Sequence, residues 1–135
     1  MKTPTAAMLI CLATALATVA MADDQEFQGW MKKTGGTVGK LRKEVEAKAY
    51  PDVAKDATAL AEIFKNVEDY FAKSHTDDAV AMAQGAQAVA KQLATAATSG
   101  DADAVANTLK GVQASCAGCH TAHREKLAEG GYKIK

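Results

Sequence analysis

Apolar and small residues recur at steps of three and four through most of the chain, the spacing that places them on one face of an α-helix. Stripes of this kind run through residues 26–49 and 53–74, then through an alanine-rich segment that stops at Ser99-Gly100, and then through a fourth segment. They predict four amphipathic helices. The stripe positions are Phe27, Met31, Thr34, Val38, Leu41, Val45 and Ala49; Val53, Ala57, Leu60, Phe64, Val67 and Phe71; Met82, Ala86, Val89, Leu93 and Ala97; and Val105, Leu109, Val112, Cys116, Cys119, His120, His123 and Leu127.

Residues that stop or cap helices lie between the stripes. Tyr50-Pro51 should end the first helix, because a residue before proline is pushed out of the α region. Thr76-Asp77-Asp78 offers an N-cap for the third helix, Asp101 or Asp103 one for the fourth, and Gly130-Gly131 a stop at its end. Helices of similar length with short connections run antiparallel to their neighbours. We therefore predict an all-α, up-down-up-down four-helix bundle.

The first 22 residues have the pattern of a secretory signal peptide. Lys2 gives a positive start, residues 6–20 are uncharged and largely apolar, and Ala20-Met21-Ala22 is a small-x-small cleavage pattern. The apolar run is short for a transmembrane helix of about 20 residues. We predict a cleaved signal peptide at 1–22, a periplasmic mature domain at 23–135, and no membrane span after cleavage.

Charge narrows the range of partners. The chain has 16 basic and 16 acidic residues, and removing Lys2 with the signal peptide leaves 15 basic against 16 acidic. A near-neutral chain does not favour nucleic-acid binding, which relies on a basic surface.

The chemistry of the chain is concentrated in the segment Cys116-Ala117-Gly118-Cys119-His120. A Cys-x-x-Cys-His run is the attachment signature of c-type haem: two thiols bond to the porphyrin, and the histidine takes one axial position on the iron. Residues at i, i+3 and i+4 share one helix face, so Cys116, Cys119 and His120 can address one flat macrocycle. We predict one covalently bound haem c, with His120 as the proximal ligand, near the C-terminal end of helix four.

Two other kinds of site also use a cysteine pair. A thiol–disulfide motif should open a helix after a strand, whereas this one lies near the end of a helical pattern with no strand before it. A zinc site could add His120 or His123, but there is no second cysteine pair, and four ligands on one short helical stretch surround a metal poorly. Both are weaker alternatives to haem.

Met31 is the candidate for the second axial position. In an antiparallel bundle the start of helix one lies at the same end as the haem motif, and Met31 is on the inward face about one turn from that start. A thioether is a soft axial ligand that raises the reduction potential of haem iron. Methionine is also a common core filler, so the sequence leaves both roles open.

Four glycines interrupt the first helix at Gly29, Gly35, Gly36 and Gly39, each at a cost of up to about 1 kcal/mol relative to alanine. One explanation is that bare backbone admits another helix or the edge of a flat cofactor. The other is a weak, frayed helix. We favour close approach.

These features resemble the cytochrome c-prime family, including its low-spin c556-type members, over nearly the whole mature chain. The resemblance rests on the haem motif with Arg124 four residues after His120, and on the opening Gln28-Gly29-Trp30-Met31-Lys32 followed by glycines. In the family, an Arg-Gln pair precedes the distal side chain by three residues. Gln28 and Met31 match that pattern, while Phe27 replaces the arginine that usually pairs with a haem propionate.

The resemblance implies roles for several polar residues. Gln28 should contribute to haem binding, and Arg124 should be the basic residue beside the proximal face. In the family, an aromatic residue is common at the position of His123. We expect His123 to lie beside a haem propionate or the proximal ring edge, or else on an exposed rim of the protein. His75 lies at the C-terminal end of helix two, where a cation is favoured, and we interpret it as a capping residue rather than a haem ligand.

Two functions are compatible with this family. If Met31 binds the iron, the protein resembles c556-type carriers, which are electron shuttles between redox partner proteins and not enzymes. If Met31 only fills the distal side, the iron is five-coordinate and high-spin and binds NO or CO. We predict electron transfer first and gas binding second, in a monomer or a homodimer.

Overall fold

The structure, a computed structural model, describes the backbone from residue 5 and the side chains from residue 23 to residue 135. In this part of the chain it contains α1 (Thr5–Glu46), α2 (Tyr50–Lys73), α3 (Asp77–Ser99) and α4 (Ala102–His123), then β1 (Arg124–Lys126) and β2 (Tyr132–Ile134). The predicted signal peptide, residues 1–22, lies outside the residues whose side chains are described, and it stays a prediction. Among the described residues, no helix is long and apolar enough to cross a membrane.

The three connections between helices terminate the preceding helix in the same way. Lys48, His75 and Gly100 have left-handed backbone with φ of 55°, 54° and 74°. In each case the N–H groups of this residue and of the next bond back to carbonyl oxygens of the helix at 2.9–3.3 Å, which is the Schellman arrangement. The connections are two or three residues long. Consecutive helices therefore run antiparallel, and the predicted four-helix bundle is confirmed.

Two of the predicted helix boundaries are settled by local geometry. α1 ends at Glu46 rather than at the predicted Ala49, and Tyr50-Pro51 begins α2 instead of ending α1. Proline is in the first turn of α2, where its missing N–H costs no hydrogen bond. At the start of α4, Asp101 is the N-cap, since its Oδ1 accepts a hydrogen bond from the Ala104 N–H at 2.9 Å.

The end of α4 differs from the sequence prediction. The helix stops at His123 rather than at Gly130-Gly131, and Leu127 is not part of it. The two glycines have φ of 98° and 82° and are the last residues of the loop 127–131 that joins the two antiparallel strands, where the positive φ favours glycine. The paired residues are Arg124 with Ile134, Glu125 with Lys133, and Lys126 with Tyr132.

Most of the predicted stripe positions form the core, but Ala49, Met82 and Leu127 are not part of it. Its largest fully buried side chains are Leu41, Leu60, Leu93, Val53, Val105 and Val112. α2 and α3 share the largest interface, and α3 buries six alanines, whose small side chains allow close packing. α1 and α4 touch much less. The space between α1 and α4 is where the predicted site residues lie.

A buried carboxyl near the end of α1 makes stability depend on pH. Glu44 is buried, its Oε1 lies 3.2 Å from Lys40 Nζ, and its Oε2 has no hydrogen-bond partner among the described residues. Burial, reinforced by the negative charge of Asp56 on α2, raises the pKa of Glu44 even though Lys40 opposes the shift. The folded chain therefore binds the proton of the Glu44 carboxyl more tightly than the unfolded chain does. The protein loses stability as the pH rises from the pKa of Glu44 in the unfolded chain through its higher pKa in the folded chain.

We expect Glu44→Gln, which keeps the size and removes the charge, to raise the Tm at neutral pH. The gain should shrink as pH falls toward about 4, where the unfolded carboxyl also takes up its proton. Glu46→Gln, at an exposed position on the same helix, is the matched control and should show no such trend. Thermal unfolding followed by circular dichroism across this pH range checks the prediction, and a gain that does not vary with pH would contradict it.

Candidate haem site

A cavity of about 450 Å³ lies beside α1 and α4, within the roughly 300–1,000 Å³ typical of small-molecule sites. Its walls come from all four helices and from both strands of the hairpin. α4 contributes Cys116, Cys119 and His120, and α1 contributes Gln28 and Met31. The structure thus brings the candidate residues of both helices to one cavity.

The haem motif occupies the last turns of α4, with its three reactive side chains on one face. Cys116, Cys119 and His120 are half-buried, whereas Ala117 and Gly118 are exposed. Burial raises the pKa of both thiols, the opposite of the shift that activates a thiol–disulfide catalyst. In the described part of the chain, no group of three or more His, Cys, Asp or Glu side chains is arranged to hold a metal ion. The geometry gives no support to a thiol oxidoreductase or a zinc site.

His120 is suited to coordinate a metal through its neutral form. Burial, followed by the positive charge of Arg124, lowers the pKa of His120. The imidazole is therefore uncharged at neutral pH, which is the state that binds a metal.

The α1 wall combines a thioether with an unsatisfied hydroxyl. Met31 is half-buried and packs against the core. One turn later, Thr34 is 7% exposed, and its Oγ1 has no hydrogen-bond partner among the described residues. Leaving such a group unpaired costs about 1–3 kcal/mol. Thr34 also lines the cavity, so the α1 wall places a polar side chain next to the Met31 thioether.

The structure adds wall residues that the sequence pattern assigned only to the core. Met82 of α3 places a second methionine at the same cavity, and Phe64, Val67 and Phe71 of α2 form an apolar wall. Their stripe positions predict burial but not what they are buried against. Only the packing of α2 and α3 relative to α4 identifies them.

Two of the four glycines of α1 line this cavity. A Cβ built at Gly29, Gly35, Gly36 or Gly39 meets no atom within 4 Å, so close approach of another helix is wrong for these positions. Gly35 and Gly39 line the cavity, whereas Gly29 and Gly36 do not. Bare backbone therefore faces the space where a flat cofactor would lie.

We expect Gly35→Leu to cause a severalfold loss of covalently attached haem, because the new side chain projects into the cavity. Gly36→Leu is the matched control: it removes a helical glycine of the same type, with the same gain in helix propensity of somewhat under 1 kcal/mol, outside the cavity. The Soret absorbance per chain of each purified protein measures the effect. Equal haem content in the two variants would mean that Gly35 does not face the cofactor.

The two other histidines differ in their surroundings. The His123 side chain is 11% exposed, its Nε2 lies 2.8 Å from Asp78 Oδ2, and its ring centroid is 5.7 Å from that of Phe71. It also lines the cavity, so the exposed-rim interpretation is wrong. His75 is exposed and occupies the left-handed position after α2. It ends that helix through its backbone.

Arg124 lies at the junction between α4 and the hairpin. Its guanidinium carbon is 4.0 Å from the centroid of the Tyr132 ring. Arg124 lines the main cavity and also a second, shallower cavity of about 590 Å³. His120, Lys126 and Tyr132 line this second cavity as well. This position agrees with a basic residue near the proximal ligand, while its role toward haem stays a prediction, as does that of Gln28.

Phe27, which replaces the arginine expected at its position, has a packing role. It is buried among aromatic side chains, with ring centroids 4.6 Å from Tyr70, 5.6 Å from Phe71 and 6.3 Å from Trp30. A charged side chain would be costly in these surroundings.

A family model described as Cytochrome C′ matches residues 25–124. The chain belongs to the cytochrome c′ family. No curated protein and no solved structure matches it. Membership in the cytochrome c′ family implies a covalently bound haem c, and the residues present fit this group: two thiols and an imidazole on one face of α4, and bare backbone at Gly35 and Gly39 of α1.

Proposed function

We propose that this cytochrome c′-family protein is an exported electron carrier in which His120 and Met31 ligate the iron of one haem c. Cys116 and Cys119 are the attachment thiols. The observation that carries the proposal is that Met31 of α1 and His120 of α4 line the same cavity. A hexacoordinate iron held by these two side chains would carry electrons and bind no substrate of its own.

Each part of the site has a physical task in this proposal. When bound, the haem supplies one-electron redox chemistry. α4 holds the two thiols and the neutral imidazole on one rigid face, and the apolar side chains of Phe64 and Val67 exclude water. The Met31 thioether favours the reduced state and raises the reduction potential. No enzymatic step is part of the proposal.

Export belongs to the same proposal. Cleavage after Ala22 would release a periplasmic domain of residues 23–135. Proteins of the cytochrome c′ family are typically periplasmic, and the cleavage pattern Ala20-Met21-Ala22 supports the same location.

Gas binding is the second candidate, and one observation favours it. Met31 packs against the core, and a thioether held there would fill the distal side without bonding to iron. The apolar wall that includes Phe64, Val67 and Met82 would then receive NO or CO at a five-coordinate iron.

The visible spectrum of the mature holoprotein distinguishes the two functions. It should be recorded oxidised and dithionite-reduced, with and without CO. Sharp reduced α and β bands that CO leaves unchanged are expected for an electron carrier with both axial positions occupied. A broad high-spin spectrum that shifts with CO would replace this proposal by gas binding.

A further inference from the structure

The C-terminal hairpin extends beyond the part of the chain that the family model matches, which ends at residue 124. Ile134 packs against the core. The strand side chains Arg124, Glu125, Lys126, Tyr132 and Lys133 are exposed. The hairpin is thus a mainly surface element added to a core that the four helices already form.

Four of these residues, Arg124, Lys126, Tyr132 and Lys133, are named here the hairpin rim because they border the haem site. The first three line the shallow cavity on which His120 also borders. Tyr132 and Lys133 line the main cavity as well. The hairpin rim is therefore the surface next to the proximal histidine.

The rim is positively charged although the protein as a whole is nearly neutral. In the described part of the chain, the lysines and arginines that line the two cavities are Arg42, Arg124, Lys126 and Lys133, and no aspartate or glutamate lines either one. The predicted mature chain has 15 basic and 16 acidic residues. The positive charge is therefore a local property of this surface.

The nearby carboxylates reduce this charge only in part. Glu125 lies 3.3 Å from Lys133 and Asp78 lies 2.8 Å from His123, so each is engaged with one cationic or imidazole group. Glu129, in the hairpin turn, lines neither cavity.

An exposed aromatic side chain lies among these cations. Tyr132 is 46% exposed, the large apolar side chain most open to solvent among the described residues. The Arg124 guanidinium stacks on its ring at 4.0 Å. Tyrosine and arginine often dominate the energy of protein interfaces. A pair that is already ordered by stacking loses less side-chain entropy when a partner binds.

We propose that the hairpin rim is the docking surface for an acidic redox partner protein. This inference rests on the proposed electron-transfer function. Complementary charge would steer the partner to the rim, and Tyr132 would pack against it once docked. One electron then passes between the two proteins, so that one is oxidised as the other is reduced, without proton or group transfer.

Small oxidants of opposite charge test the local charge of the electron-exchange surface. In a stopped-flow experiment, the reduced holoprotein should transfer one electron to ferricyanide, giving ferrocyanide. The reaction is followed between 0.01 M and 1 M salt, because the Debye length falls from about 30 Å to about 3 Å over this range. We expect the rate constant to fall on the order of tenfold across this range. When the oxidant is the cation tris(phenanthroline)cobalt(III), the rate constant should rise with increasing salt instead.

Charge reversal localises the effect. Lys126→Glu and Lys133→Glu should each slow the ferricyanide reaction about threefold or more at low salt. At high salt, their rate constants should become equal to that of the unmodified protein. Lys55→Glu makes the same charge change at an exposed position near the start of α2, and it should match the unmodified protein. Equal effects of all three variants would reflect net charge alone and would overturn the proposal.

Two further readouts separate this inference from the proposed function. A low-spin spectrum with salt-independent rates would leave electron transfer standing and reject the docking surface. A shift of the reduction potential in Lys126→Glu or Lys133→Glu, without a change in salt dependence, would mean that the lysines neutralise haem carboxylates instead.

Poly-L-glutamate provides an acidic polypeptide probe. On titration into the ¹⁵N-labelled reduced holoprotein at low salt, we expect amide shift changes to cluster on residues 124–135 and to disappear at high salt. Shift changes centred on another surface would contradict the proposal.

Discussion

Replacing Met31 with alanine is expected to convert the holoprotein from a low-spin to a high-spin spectrum and to allow CO to bind the reduced iron. The change removes the thioether that α1 brings to the cavity shared with His120. A thioether favours reduced haem iron, so the reduction potential should also fall. Axial ligands span roughly 0.8 V among haem proteins, and we expect a fall on the order of 0.1 V.

The cavity offers a matched control for this change. Met82→Ala removes an identical side chain from the α3 wall of the same cavity and should leave the spectrum low-spin. Met31→Leu keeps the bulk of the side chain and should behave like Met31→Ala, because the sulfur and not the volume matters. Loss of the low-spin spectrum in Met82→Ala alone would identify Met82 as the ligand. A high-spin spectrum before any substitution would favour gas binding.

Preventing haem attachment is expected to cost the domain its cooperative fold. A dry cavity of about 450 Å³, at about 24 cal/mol per Å³, would cost roughly 10 kcal/mol, comparable with the entire 5–15 kcal/mol stability of a typical domain. The walls must therefore collapse or take up water. The double variant Cys116→Ser/Cys119→Ser should lose near-UV dichroism and a sharp thermal transition while keeping much of its helical far-UV signal.

The loss should be uneven along the chain. α2 and α3 share the largest interface, whereas α1 and α4 touch little. We expect amide hydrogen exchange in the double variant to become fast in α1 and α4 and to stay slower in α2 and α3. Cys119→Ser, which retains the Cys116 thiol for a single bond to haem, is the control and should keep a cooperative transition. An equally sharp transition in the double variant would show that the helices pack without the cofactor.

Much of the bundle could be predicted because its helices are set by local rules. The three-four spacing fixes which face is buried, and the predicted α2 stripe from Val53 to Phe71 is buried throughout. Asp101 caps α4 because a side-chain oxygen at that position can reach a nearby backbone N–H.

The C-terminal segment was mispredicted because its glycines satisfy two rules at once. Gly130-Gly131 is as suitable for stopping a helix as for turning a hairpin, and both require positive φ. Pairing of Arg124–Lys126 with Tyr132–Ile134 decided between them. That pairing brings Tyr132 and Lys133 to the cavity, which no local pattern indicates.

The sequence by itself determined the haem motif, the shared helix face of Cys116, Cys119 and His120, and the end of the bundle at which Met31 lies. These follow from covalent spacing and helix periodicity, which act over a few residues. Only the tertiary structure decided that Met82 and the hairpin join the cavity walls, that His123 packs against Phe71, and that the cavity borders on basic side chains. Those features depend on which distant side chains fill the space between packed helices, and periodicity along one helix carries no information about its neighbour.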